Sequence, residues 1–275
     1  MVDGQTGVVT EHSPVPRWSR YVAIGDSFTE GLWDAPDGVE APQRGWADLL
    51  ASHLSERRKA AGEPTLQYAN LAIRGKLLRS ILVDQVPVAL SMKPDLVSLI
   101  GGGNDILRPT SDIDRMARNL EARVVRLRAA GIDVLLGTGY DAYGSALFSA
   151  TRNRVGIYNS LIWSMARRHG AYVLDVWGMR SLTDGRMWSE DRIHLTSEGH
   201  ARVAQAALVG LGLEPDDAAW DDPLTALPPT PRLMRARQDA AWVRVHVYPW
   251  ATRRLRGRSS GDLLTPKRPQ LSPLD

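Results

Sequence analysis

Short apolar runs alternate with longer segments of helical spacing along most of the chain, and this alternation constrains the fold more than any other feature. The apolar runs have the length and composition of buried β-strands, whereas the segments between them repeat apolar residues with the period of a helix. Five strands are predicted, at residues 21–24, 66–72, 95–100, 132–136 and 172–176. Five helices are predicted, at residues 46–59, 77–90, 113–130, 151–168 and 197–211.

Repeated strand–helix–strand units favour a parallel sheet with helices on both faces, because right-handed crossovers place the helices there. We therefore predict an α/β fold, a three-layer α/β/α sandwich with a parallel five-stranded sheet in the flavodoxin-like strand order 2-1-3-4-5. Local signals mark the helix ends. Ser111 is the expected hydroxyl cap of the third helix with Asp114 as its carboxylate, Gly131 is its left-handed stop, and Thr196 caps the last helix.

The chain divides by composition into a core and two terminal segments. Residues 1–19 are expected to be a flexible N-terminus, and residues 20–212 form the single folded domain. Residues 213–257 are predicted to be a proline-rich linker and a docked helical extension, with residues 258–275 as a disordered basic tail.

The extension carries the large apolar side chains that docking would bury. They lie around a predicted helix at residues 233–247 and are Leu233, Trp242, Val243, Val247 and Trp250. Deleting the chain from Leu233 onwards is expected to expose the surface that they cover and to lower stability, while the remaining protein keeps its activity.

The absence of cysteine excludes thiol nucleophiles, thiolate zinc sites and iron–sulfur clusters, which leaves histidine, carboxylate and hydroxyl chemistry. The first twenty residues lack the apolar segment of a secretory signal, and no run approaches the length of a membrane helix. We therefore expect a cytoplasmic protein without a membrane span. Residues 232–275 carry ten Arg or Lys against three Asp. Such a tail could touch nucleic acid or anionic lipid, but a packed or solvated extension is the preferred interpretation and no nucleic-acid partner is expected.

The first candidate site residue is Ser27, in the segment Gly25-Asp26-Ser27-Phe28 at the end of the first strand. Ligands of open parallel sheets bind beyond the carboxyl ends of the strands, so this hydroxyl would face a crevice. Ser and Asp are also common in turns, and Asp26 is interpreted as a residue that stabilises the turn.

Two further strand ends would converge on the same crevice. The third strand ends in Gly101-Gly102-Gly103-Asn104, where Asn104 offers an uncharged amide donor that suits an oxyanion hole. A phosphate-binding loop is disfavoured because neither the P-loop nor the dinucleotide-binding spacing is present. The second strand leads to Gly75, whose backbone N–H can turn towards the crevice.

Asp191 and His194 stand three residues apart ahead of the last helix. A nucleophilic serine needs a base, and the base needs a carboxylate that orients it, so this pair could supply both. The histidines at positions 53, 169 and 200 lie within or at the ends of predicted helices and are interpreted as structural.

These segments resemble those of the SGNH hydrolase superfamily, the GDSL-type esterases and lipases, over residues 21 to about 211. The resemblance implies that Ser27 is the nucleophile and that His194 and Asp191 complete a catalytic triad. It also implies an oxyanion hole formed by the Ser27 backbone N–H, Gly75 and Asn104. The chain departs from the family pattern at Phe28, where the family name has Leu, and at Leu195, where Pro is frequent.

By this resemblance the protein is a serine ester hydrolase that forms an acyl-enzyme and needs neither a metal nor an organic cofactor. Its partner is a small-molecule ester, expected to carry a short acyl group, and the oligomeric state stays open. An acyltransferase with the same triad and a non-catalytic binding module with a basic tail are the alternatives. The residues expected to line the crevice and contact substrate are Tyr140, Asp141, Tyr143 and Trp188, with Trp33 at the rim.

Overall fold

The computed structural model describes residues 15–35, 43–141, 149–228, 230–249, 252 and 260–274. The strands are β1 (Arg20–Gly25), β2 (Gln67–Asn70), β3 (Leu96–Ile100), β4 (Asp133–Gly137), β5 (Tyr172–Leu174) and β6 (Arg268–Pro273). The helices are α1 (Ser27–Glu30), α2 (Trp46–Ala60), α3 (Leu78–Ser80), α4 (Val86–Ser91), α5 (Gly103–Ile106), α6 (Ile113–Ala129), α7 (Arg152–His169), α8 (Ser197–Gly210) and α9 (Arg232–Trp242).

The strands form one sheet in the order β5-β4-β3-β1-β2-β6. Strands β1 to β5 are parallel and follow the predicted order 2-1-3-4-5. The predicted count of five strands is wrong, because β6 pairs antiparallel with β2. This strand lies within the tail predicted to be disordered. Its two prolines, Pro269 and Pro273, hide it from a search for strand patterns, and its pairing partner lies some 200 residues away in sequence.

The sheet is covered on both faces, as the three-layer prediction requires. Successive side chains of a strand point to opposite faces. Tyr21 and Ala23 therefore pack in one apolar core with α2 and α8. Val22 and Ile24 pack in a second core with the α3–α4 segment, α6 and α7.

Two local predictions about helices need correction. Helix α6 is capped by Asp112 and not by Ser111, since the Asp112 carboxylate accepts a hydrogen bond from the Arg115 N–H. The helix predicted at 77–90 is interrupted by a π-helical turn, Ile81–Gln85, directly ahead of Pro87. Proline lacks the N–H that a regular helix would use at this point, so the hydrogen-bond pattern shifts. The predicted stop at Gly131, with φ +76°, and the cap at Thr196 are confirmed.

Helix α9 continues as a π-helical segment, Val243–Val247, and contacts the domain through one face only. Trp242 is 9% exposed, whereas Leu233 and Val243 are 67% and 45% exposed. The prediction that Leu233 and Val243 are covered is therefore wrong, because they lie on the faces of the helix that point away from the domain. Trp250 lies outside the described residues.

Within the described ranges, no helix is long and apolar enough to cross a membrane.

Candidate active site

Ser27 is the first residue of α1 and directly follows the turn out of β1. Asp26 caps this short helix by accepting a hydrogen bond from the Phe28 N–H. The turn requires glycine at position 25, since a Cβ there would lie 2.6 Å from both the Ile100 carbonyl oxygen and Thr29 Oγ1. The close approach of the β1 exit to the end of β3 thereby places the Ser27 hydroxyl beside the segment that carries Asn104.

A continuous chain of hydrogen bonds joins Ser27, His194 and Asp191. The distance from His194 Nε2 to Ser27 Oγ is 2.9 Å, and the distance from His194 Nδ1 to an Asp191 carboxylate oxygen is 2.6 Å. With Nδ1 protonated, the imidazole donates to Asp191 and presents Nε2 as an acceptor for the serine proton. The structure therefore brings together the three residues that the sequence singled out for nucleophile, base and carboxylate.

The loop that carries Asp191 and His194 is held by its own backbone. The His194 carbonyl accepts a hydrogen bond from the Ser189 N–H, and Arg192 lies between them in the left-handed conformation with φ +57°. A non-glycine residue in this region stores about 1 to 3 kcal/mol of strain, so the surrounding contacts must hold it there.

Both oxygens of the Asp191 carboxylate accept hydrogen bonds. Oδ1 accepts from Ser189 Oγ and from the backbone N–H groups of Ile193 and His194. Oδ2 accepts from His194 and from the indole N–H of Trp33, at 3.0 Å. Burial acts to raise the pKa of Asp191, but the hydrogen bonds and the charge of His194 hold that pKa well below its usual range. Asp191 is therefore ionised and fixed in orientation.

Asn104 is the second residue of α5, the short helix that follows the end of β3. Its Nδ2 is 3.3 Å from an Asp26 carboxylate oxygen and 3.2 Å from the Lys76 carbonyl oxygen. The second contact joins the Asn104 segment to the loop that contains Gly75, which has φ +73°. The two residues predicted to form an oxyanion hole with Ser27 thus belong to connected loops.

Helix α1, which follows the end of β1, holds the Gly75 loop in place. Arg74 donates to the Glu30 carboxylate through its backbone N–H, at 2.6 Å, and through its guanidinium. Glu30 closes α1, so the loop of Gly75 and the helix of Ser27 are tied together by an ion pair that is mostly buried.

A cavity of about 150 Å³ opens beside Ser27, Asn104 and His194. Apolar and aromatic side chains form most of the remaining wall. They are Phe28, Ile100, Ile106, Leu107, Tyr140, Val155, Tyr158, Val176 and Ile193.

The four predicted substrate contacts have different surroundings. Tyr140 lines the cavity, and burial raises the pKa of its hydroxyl to about 12. The Asp141 carboxylate accepts two hydrogen bonds from Arg152, at 2.6 and 2.8 Å, so a sugar hydroxyl would compete with this ion pair. Trp188 packs behind Tyr140, with ring centroids 4.5 Å apart. Tyr143 lies outside the described residues.

Two features of the site escape sequence reasoning. Trp33 was expected only at the rim, yet it donates to Asp191 across 158 positions. Trp242 of α9 was expected to cover apolar surface, yet its indole N–H donates to the Asp191 backbone carbonyl. No spacing within the sequence signals such long-range donors, because each depends on how distant segments fold together.

Comparisons with known proteins agree with this fold. A sequence model of the GDSL-like Lipase/Acylhydrolase family matches residues 23–202. No curated protein matches the chain in sequence.

Several solved structures are similar in fold. LAE5, an alpha/beta hydrolase enzyme from the metagenome of Lake Arreo in Spain, is 27% identical with a TM-score of 0.59, over 70% of this chain and 95% of that one. A variant of Axe2, an acetyl xylan esterase from Geobacillus stearothermophilus, is 20% identical with a TM-score of 0.61, over 73% and 97% of the two chains. TesA is 22% identical with a TM-score of 0.54, over 70% and 97%.

Proposed function

The chain belongs to the GDSL-like lipase/acylhydrolase family and is a carboxylic ester hydrolase, and on this premise we propose that it works through a Ser27–His194–Asp191 triad and an acyl-enzyme. The observation that carries the proposal is the hydrogen-bond chain from Ser27 Oγ through His194 to Asp191, at 2.9 and 2.6 Å. Structures of Axe2, the acetylxylan esterase from Geobacillus stearothermophilus, include catalytic mutants of a serine, an aspartate and a histidine, which supports the same assignment here.

In the first half-reaction, His194 removes the proton from Ser27 as Oγ attacks the ester carbonyl carbon. Asp191 stabilises the imidazolium that forms and does not itself take the proton. His194 then protonates the leaving alcohol, and the acyl group stays bound to Ser27 Oγ. In the second half-reaction, His194 takes a proton from a water molecule that attacks the acyl carbon. The bond to Ser27 Oγ then breaks, the acid leaves, and His194 returns the proton to Ser27 Oγ.

The negative charge of the tetrahedral intermediate needs donors on the side of Ser27 away from His194. We assign this role to the backbone N–H groups of Ser27 and Gly75 and to Asn104 Nδ2. Donors held in place before the reaction stabilise a transition state most, and the Lys76 contact holds the Asn104 amide. The second Nδ2 hydrogen, which donates to Asp26 over 3.3 Å, turns to the oxyanion when the intermediate forms.

The substrate is an ester with a short acyl group. The cavity beside Ser27 has an apolar wall, and a dry cavity of similar volume holds a benzene-sized ligand, which corresponds to about six carbons at most. We expect kcat/KM on p-nitrophenyl esters to be highest for acyl chains of up to about six carbons and to fall for longer ones. A rate that keeps rising to dodecanoyl esters would contradict this assignment.

The decisive test combines labelling and hydrolysis. Wild-type protein should react with a fluorophosphonate probe, and Ser27→Ala should lose both labelling and hydrolysis of p-nitrophenyl acetate, by up to about a million-fold in kcat. Ser164→Ala, on the exposed surface of α7, is the matched control and should label and turn over as wild type does. Turnover by purified Ser27→Ala at the wild-type rate would refute the proposal. The expected cytoplasmic location stays a prediction that cell fractionation can test.

A further inference from the structure

The C-terminal extension reaches the candidate active site through one side chain. The family match ends at residue 202, whereas Trp242 lies on α9 well beyond it. The Trp242 ring packs against Leu107, Tyr140 and Ile193. All three of these neighbours line the cavity beside Ser27.

The three neighbours of Trp242 belong to three separate segments of the site. Leu107 ends the short helix that begins with Gly103 and Asn104. Tyr140 follows strand β4, and Ile193 lies between Asp191 and His194. A single indole ring therefore contacts the segment of the proposed oxyanion donor, the wall of the cavity and the loop of the proposed base.

Polar contacts fix the orientation of this ring against the histidine loop. The Trp242 indole N–H donates to the Asp191 carbonyl oxygen at 2.9 Å. The Arg192 guanidinium lies over the Trp242 ring, 5.1 Å from its centroid, and donates to Asp239 one turn earlier on α9. Arg192 is the residue of this loop with a positive φ, so the contacts from α9 hold the strained residue of the loop in place.

General apolar docking does not explain this arrangement. Trp242 is the buried side chain of α9 in the part of the chain that the structure describes. Leu233 and Met234 on the same helix are 67% and 53% exposed. The helix is thus held by Trp242 and by the ion pair of Asp239 with Arg192, and not by a broad apolar face.

We propose that Trp242 is a positioning residue of the esterase, which fixes the Asp191–His194 loop and the cavity wall so that the extension is part of the catalytic unit. This inference rests on the proposed function. It implies that removal of the ring lowers kcat, because a small displacement of the base from Ser27 is enough to slow proton transfer strongly. KM changes less, because Trp242 itself is not among the residues that line the cavity.

The test compares Trp242→Ala, Trp242→Phe and the control Leu233→Ala, which changes an exposed residue on the same helix. Active sites are counted by fluorophosphonate titration, so that kcat refers to competent molecules. Trp242→Ala should lower kcat on p-nitrophenyl acetate by about 10²-fold with KM within about threefold of wild type. Trp242→Phe keeps most of the packing but loses the N–H, and should lower kcat by about fivefold. Leu233→Ala should match wild type.

Amide hydrogen exchange over residues 188–196 supplies a readout that does not depend on turnover. Exchange in this loop should be faster in both Trp242 variants and unchanged in Leu233→Ala. Wild-type kcat per titrated site and wild-type exchange in Trp242→Phe would overturn the inference, even if Trp242→Ala fails to fold. A lowered melting temperature with unchanged kcat per site would show a purely structural role and would also overturn it.

The same measurements separate this inference from the proposed function. A wild-type protein without Ser27-dependent hydrolysis refutes the function, and the positioning role in catalysis falls with it. Hydrolysis by wild type that is unaffected in the Trp242 variants refutes the inference alone.

Discussion

Asp26 is a buried carboxyl group next to the candidate nucleophile, and its hydrogen bonds only partly offset the cost of burying its charge. It is 6% exposed, and burial raises its pKa to about 6 despite hydrogen bonds from the Phe28 N–H and Asn104. The folded state therefore binds a proton between about pH 4 and pH 6 that the unfolded state releases. Stability due to this group is present below about pH 4 and is lost as the pH rises to about 6.

Asp26→Asn should therefore stabilise the fold at pH 7. Asparagine keeps the helix cap and removes the buried charge, with a gain of up to about 3 kcal/mol at pH 7 that vanishes below about pH 4. Chemical denaturation of wild type and variant across pH 3.5 to 8 measures the difference. The matched control is Asp112→Asn, at the exposed cap of α6, where the pKa is lowered and no gain is expected. A constant difference across the pH range would contradict the prediction. Activity should fall, since Asn104 loses its carboxylate partner.

For single residues, the sequence predicts which side chains come together in the site but not the contacts that hold them in place. Ser27 and Asn104 follow the ends of β1 and β3, and a parallel sheet gathers such ends at one edge. Asp191 and His194 lie in the loop ahead of α8, where their spacing indicates a base and its carboxylate. The donation from Trp33 to Asp191 is not predictable in this way, because it depends on the left-handed backbone at Trp33, with φ +76°.

Strand β6 and the lysine before it show how a terminal segment can be integral to a sheet. The Lys267 ammonium lies among four acceptors, the carbonyl oxygens of Glu30, Gln43 and Arg44 and the Asp48 carboxylate, and its Nζ is 2.6 Å from the carboxylate. Its three N–H groups are shared among these four acceptors. Burial lowers the pKa of Lys267 and raises that of Asp48 to about 6, although each charge opposes the shift of the other. The pair thereby fixes the end of the chain to the start of α2.

Lys267→Ala should destabilise the protein by about 3 kcal/mol, because it leaves a buried carboxylate and three carbonyl groups without their donor. The control is Lys59→Ala, which removes a surface ion pair with Glu56 and should cost about 0.5 kcal/mol or less. Thermal or urea unfolding of the two variants measures the contrast. Equal small effects would show that the Lys267 contacts contribute little.

The elements of the parallel sheet are predictable because each carries its own periodic pattern. Strand β6 is not, since its sequence lacks alternation and it is ordered by the free edge of β2 and by the Lys267 contacts. The π-helical turn ahead of Pro87 is similarly a compromise between one proline and the packing of its neighbours.

At the scale of the whole molecule, the chain beyond residue 212 contacts the domain at two of the site loops. Trp242 contacts the Asp191–His194 loop. Gly261 packs so closely on the Gly75 loop that a Cβ would lie 2.1 Å from the Arg74 carbonyl oxygen. These contacts change the expectation drawn from sequence, which was that a chain shortened from Leu233 onwards keeps its activity.

Two truncations should separate these roles. A chain that ends at residue 231 lacks α9 and β6, and should lose stability and also kcat per titrated site, by about 10²-fold. A chain that ends at residue 259 keeps α9 and lacks β6, and should lose stability while it keeps more of its kcat. Melting curves and active-site titration of both chains provide the comparison. Equal kcat per site in both truncations and wild type would contradict the prediction.

The pairing of β6 with β2 also determines when the sheet can be completed during protein synthesis. The outer edge of β2 has no partner until residues 268–273 have been made, some 200 residues after β2 itself. A nascent chain that lacks these residues therefore exposes a strand edge that can pair with another chain. Once β6 is paired, Pro269 and Pro273 lack the N–H groups that a further strand would need, so β6 protects the finished sheet from aggregation.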